Sequence, residues 1–120
     1  MPSLRMRGPY ILEEDVVDEK VTERSPGNYA LGECRDDGAF RVGYIGRSDS
    51  DINGTLKSWA TRDGAASLFK FSYATSAQAA FEKECAQYHD FRPPGKHVHP
   101  VPPAGKNWRC PFCGTPKGSE

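Results

Sequence analysis

Apolar and polar positions alternate with a period of two along three stretches of this chain and recur at helical spacing along two others. Asn28 to Cys34 and Ala39 to Ile45 read as strands, and Asp37-Gly38 between them has the chemistry of a hairpin turn. Behind the N-cap candidates of the "RSDSD" run, Ile52, Leu56, Trp59 and Ala60 stand at i, i+4, i+7 and i+8. That spacing predicts a short amphipathic helix, which Gly54 weakens. In Ser67 to Ala74, Phe69, Phe71 and Tyr73 fall on one face of a third strand. Thr75 and Gln78 form a capping-box pattern that opens a helix from about Ser76 to His89, with Pro93-Pro94-Gly95 as its stop.

The order β-β-α-β-α implies an α+β fold, a small three-stranded antiparallel sheet flanked by helices. Residues 1–26 form an N-terminal packing segment in which only Tyr10 to Leu12 and Val16-Val17 are placed to pack, and "SPG" closes it. Residues 27–93 make the domain. Residues 94–120 form a tail whose Pro100, Pro102, Pro103, Pro111 and Pro116 exclude regular structure, so its order needs another source.

Two features of this outline point toward chemistry. Whether the hairpin loop holds two residues or four, Tyr29 and Tyr44 project from the same face of the sheet. Core packing with a wet hydroxyl is the commoner use of such a pair. In the second helix, Ala77, Ala80, Phe81 and Tyr88 form one stripe, and Glu84 sits in its middle. An ionised carboxylate on a core-facing stripe is costly unless it is paired or holds a metal, so Glu84 is a site candidate unless helix rotation carries it to the rim.

The combination of "GNYAL", "GYIGRS", a helix, a strand and "AFEKECAQYHDFRP" resembles the GIY-YIG nuclease superfamily over about residues 27–93. The first motif appears as Gly27-Asn28-Tyr29, and Tyr44-Ile45-Gly46 keeps the second intact. The resemblance implies metal-dependent hydrolysis of phosphodiester bonds by an endonuclease or nickase. Glu84 would hold Mg²⁺ or Mn²⁺, Tyr44 would act as a base with a depressed pKa or as a proton relay, and Tyr29 would orient water or phosphate. Gly46 would let the backbone turn into the following helix. One departure matters: where the superfamily carries Arg-Leu-x-x-His, this chain reads Thr55-Leu56-Lys57-Ser58-Trp59. Arg47, Lys57 and Arg62 are the candidates to replace the missing cation. Without one, the same fold would serve as a non-catalytic nucleic-acid or protein binding module.

The tail carries Cys110-Pro-Phe-Cys113-Gly, the spacing of a zinc knuckle. Cys85 and His89 share a helix face at i, i+4, so Cys85, His89, Cys110 and Cys113 are the expected ligands of a structural Zn²⁺ that staples the tail to the domain, with His99 as alternate. Free thiols in an unstapled tail are the plainer alternative.

Formal net charge is zero, but residues 1–37 hold five basic and nine acidic residues, and residues 91–119 hold five basic and no acidic ones. That basic tail would suit a phosphate backbone, and a merely solvated tail is the equal alternative. The resemblance implies a nucleic-acid partner, DNA before RNA, for which Arg47, Lys57, Arg62, Arg92, Lys106 and Arg109 are the candidate contacts. A zinc-stabilised protein-binding domain is the third reading. The chain has no apolar run of membrane-span length and no apolar signal-peptide core, which makes cytoplasmic the expected location and excludes a membrane partner.

Overall fold

The computed structural model describes residues 5–62, 66–91 and 99–111. The chain runs β1 (Arg7–Ile11), α1 (Glu14–Lys20), β2 (Gly27–Cys34), β3 (Phe40–Ser48), α2 (Ile52–Ala60), β4 (Leu68–Tyr73) and α3 (Ala77–Phe91). All strand pairs are antiparallel, in the order β1-β4-β2-β3. The fold is α+β as expected, but the sheet has four strands where the sequence predicts three. The extra strand comes from the N-terminal segment, where β1 pairs with β4 through Arg7 and Phe71, Tyr10 and Phe69, and Ile11 and Leu68. It covers an edge that the apolar pattern leaves open.

β2 lies inside the sheet, and its first six residues are buried on both faces. On one face Tyr29 and Leu31 join Phe69 and Phe71, and α1 and α2 close over them with Leu12, Val17, Val21, Ile52 and Leu56. On the other face, Ala30 and Ile45 pack with Tyr88 and Phe91 of α3. Asn28 Nδ2 also donates to the Ala80 carbonyl at 2.8 Å, tying β2 to α3. The helix termini follow from side-chain caps: Asp51 Oδ1 accepts from the Gly54 amide at 3.2 Å. At α3, Ser76 Oγ accepts from the Ala79 amide at 3.0 Å, so the cap falls on Ser76 and not on Thr75.

The hairpin reaches its register by a route outside the two expected. Cys34 pairs with Phe40, so residues 35–39 make a longer loop, and a bulge at Gly43 then places Tyr44 opposite Leu31. Tyr29 and Tyr44 do share a face, with ring centroids 6.3 Å apart. No helix among the described residues is long and apolar enough to cross a membrane.

Candidate functional site

In the hairpin, Gly46 pairs with Tyr29. A Cβ at Gly46 would meet Tyr29 Oη at 2.5 Å, so glycine is required because the tyrosine ring lies across it. The expected sharp turn at this point is corrected, since Gly46 sits inside β3, which continues to Ser48. The Tyr29 hydroxyl, 4 % exposed with its residue, accepts from Trp59 Nε1 at 2.8 Å. Trp59 lies 5.1 Å from Tyr44 between ring centroids, and the Arg62 guanidinium stacks on its outer side at 4.3 Å. Burial, the Tyr44 hydroxyl and the Glu84 charge push the Tyr29 pKa well above that of a free phenol, against the lowering effect of Trp59. Tyr29 is therefore a neutral hydroxyl at any physiological pH.

Alternation along β3 turns the next residue, Arg47, toward α3. Its Nη1 donates to Glu84 Oε1 at 2.7 Å, its Nε to Asp49 Oδ1 at 2.8 Å and its Nη2 to the Val101 carbonyl at 2.7 Å. The guanidinium also lies 5.3 Å from the centroid of the Phe81 ring. Burial works against this charge, but the Asp49 and Glu84 carboxylates outweigh it and hold the Arg47 pKa above the usual arginine value. Glu84 is 3 % exposed, so the carboxylate does occupy the buried stripe. Of the three cations expected to replace the missing helical arginine, Arg47 bonds Glu84. Lys57 Nζ bonds Asp18 Oδ1 at 2.8 Å, and Arg62 stacks on Trp59.

From Cys85, the residue after Glu84 on α3, a second cluster forms. Cys85, His99 and Cys110 bring their ligand atoms within 4.8 Å of one another, close enough to hold one metal ion. His89 Nε2 lies beside this group, 3.3 Å from His99 Nε2 and 3.4 Å from Cys110 Sγ. The Cys85 and Cys110 thiols are not in a disulfide, and both residues are buried. His99 Nδ1 is 2.8 Å from the Pro100 carbonyl, an arrangement that places the proton on Nδ1 and aims the Nε2 lone pair into the cluster. Burial and the neighbouring Cys110 push the Cys85 thiol pKa far up in the absence of a cation. Trp108, with its ring centroid 6.0 Å from that of Phe81, packs beside the pair of sulfurs.

Two of the four expected ligands, Cys85 and Cys110, thus come together with the alternate, His99; His89 lies beside them, and Cys113 lies outside the described residues. Arg92, an expected nucleic-acid contact, also lies outside them, whereas Arg62, Lys106 and Arg109 are exposed. The sequence reading missed the part played by Val101, whose carbonyl carries no side-chain signal, and that of Trp59 as the donor to Tyr29. Comparison with models of known protein families, with curated proteins and with solved structures returns no match.

Proposed function

We propose that this chain is a zinc-stabilised nucleic-acid-binding module built on a GIY-YIG-like domain, in which Arg47 occupies the carboxylate that a hydrolytic relative would offer to a divalent metal. The Arg47–Glu84 pair carries this reading, with a 2.7 Å contact between side chains that are 12 % and 4 % exposed. Mg²⁺ and Mn²⁺ take oxygen donors and keep several waters. Glu84 as it stands does not fit such an ion, because a guanidinium covers one oxygen and burial leaves little room for a hydration shell. The hydroxyl that would orient water or phosphate is held by Trp59. No catalytic step through a divalent cation is therefore derived.

The second cluster does fit a metal. A tetrahedral zinc ion, with Zn–N about 2.0 Å and Zn–S about 2.3 Å, has N···N edges of about 3.3 Å and N···S edges of about 3.5 Å. His89 meets two of these edges, 3.3 Å to His99 and 3.4 Å to Cys110, while Cys85, His99 and Cys110 lie within 4.8 Å of one another, so the four would close on the ion by a small inward movement. Two thiolates and two imidazoles favour zinc over a hard cation. Such a set leaves no open position for substrate, so the zinc is structural: it would hold the proline-rich tail on α3.

For the partner, the surface offers cations beside aromatic rings: Arg62 on Trp59, and Lys106 Nζ 5.8 Å from the Trp108 centroid, with Arg109 exposed next to it. Stacked aromatics flanked by cations suit single-stranded nucleic acid, where bases present their faces. Fluorescence anisotropy with a labelled single-stranded DNA tests this. The expected result is binding that weakens steeply with salt and falls several-fold in Trp59→Ala and in Lys106→Ala/Arg109→Ala; salt-independent or undetectable binding would sink it.

A second reading, an active metal-dependent endonuclease or nickase, is favoured by a specific observation. Arg47 reaches Glu84 from the end of β3, so under that reading it would supply the cation that the superfamily carries on its first helix. Under that reading Arg47 would leave Glu84 for the phosphate when nucleic acid and metal arrive.

A further inference from the structure

Arg47 divides its three recorded hydrogen bonds among three separate parts of the molecule. Asp49 follows on the same strand segment, Glu84 belongs to α3, and Val101 belongs to the tail. The tail contact is the unusual one. Among the described residues 99–111 there is no helix or strand, and a turn there is closed by the Lys106 amide donating to the Pro103 carbonyl. A segment of that kind loses conformational entropy when it is fixed, and its own backbone returns little. Val101 stands two residues after His99 and nine before Cys110, so it lies between two donors of the metal cluster. At the other end of the network, Glu84 is followed directly by Cys85, a donor of the cluster on α3. Phe81, under the Arg47 guanidinium, belongs to the same buried cluster as Cys85, Cys110 and Trp108.

We infer that the Cys85–His89–His99–Cys110 centre positions Arg47: metal binding fixes the Val101 carbonyl, which holds the guanidinium on Glu84. The inference rests on the metal centre proposed above and is independent of whether the site hydrolyses nucleic acid. Its chemistry is a linkage. Whatever free energy the bound metal adds to the Arg47 contacts, those contacts must return to metal affinity, because coupling between two sites is reciprocal. Arg47 is a positioning partner of the metal centre although it touches no metal.

The test uses the full chain and zinc itself, with affinity measured by competition against a chromophoric chelator and the Arg47 side chain followed by its Nε–H resonance. Arg47→Ala should weaken zinc binding by about 5-fold or more. Arg47→Lys, which keeps the stem and charge but lacks the fork, should recover only part of that loss. Lys57→Ala, which removes a cation paired with Asp18, should leave zinc affinity unchanged. In the wild type, which needs no variant to fold, chelation should shift the Arg47 Nε–H signal. Zinc bound by the wild type with an unmoved Arg47 signal, or bound equally tightly by Arg47→Ala, overturns the coupling and leaves the metal centre standing. Absence of zinc binding by the wild type overturns the metal centre and the coupling with it.

Discussion

At Tyr29 the burial of one hydroxyl has a measurable consequence. Its pKa is raised in the folded state, so the neutral phenol stabilises the fold fully below the unfolded pKa of about 10, and that contribution falls as pH rises beyond it. Alkaline unfolding should therefore be less steep above about pH 10 in Tyr29→Phe than in the wild type, when stability is followed by urea titration across pH. A parallel loss in both would mean that the ring is not buried. Gly46→Ala should destabilise by roughly 1–3 kcal/mol, because the new methyl meets a ring that Trp59 holds in place. Individual residues were unevenly legible. Glu84 stood out because a carboxylate interrupted an apolar stripe, and the structure buries it. Trp59 did not, because its spacing in α2 matched plain core packing while its indole N–H serves Tyr29. The choice of Arg47 over Lys57 and Arg62 required the packing of α3 on that face of the sheet and the position of α1, neither of which spacing conveys.

At the scale of elements, strong alternation and caps in the hairpin, α2, β4 and α3 made those segments readable. β1 and α1 were not readable as elements for a physical reason. In β1 only Tyr10 is partly buried, and in α1 only Val17 is fully so. With so few inward positions, neither a period of two nor one of 3.6 is expressed. Gly54 shows the opposite case, a residue that weakens helix propensity yet suits its place. A Cβ there would meet Asp51 Oδ2 at 2.9 Å, crowding the side chain that caps α2 and pairs with Arg24. Asp51→Ala should therefore cost about 1 kcal/mol in urea-induced unfolding. A change within error would assign the helix start to Ser48, whose Oγ accepts from the Asp51 amide at 2.9 Å.

For the whole molecule, the metal cluster joins an irregular segment to a domain that otherwise closes through its sheet and helices. A metal that binds only the folded chain adds RT ln(1 + [L]/Kd), about 4.1 kcal/mol when free zinc is about a thousand times Kd. The thermal midpoint should accordingly rise with free zinc and fall on chelation, with Cys110→Ser no longer responding; a wild-type midpoint indifferent to zinc would remove the staple. The sequence pointed to Cys85 and Cys110, which the structure brings together, but proline-rich chain carries no periodicity, so the place of His99 beside them depended on the path of the tail. The most direct test of the whole account is incubation of supercoiled plasmid with Mg²⁺ or Mn²⁺ beside a folded Glu84→Ala variant. A site filled by Arg47 predicts no nicking by either protein, whereas nicking by the wild type that disappears in the variant would contradict it and establish Glu84 as part of a working nuclease.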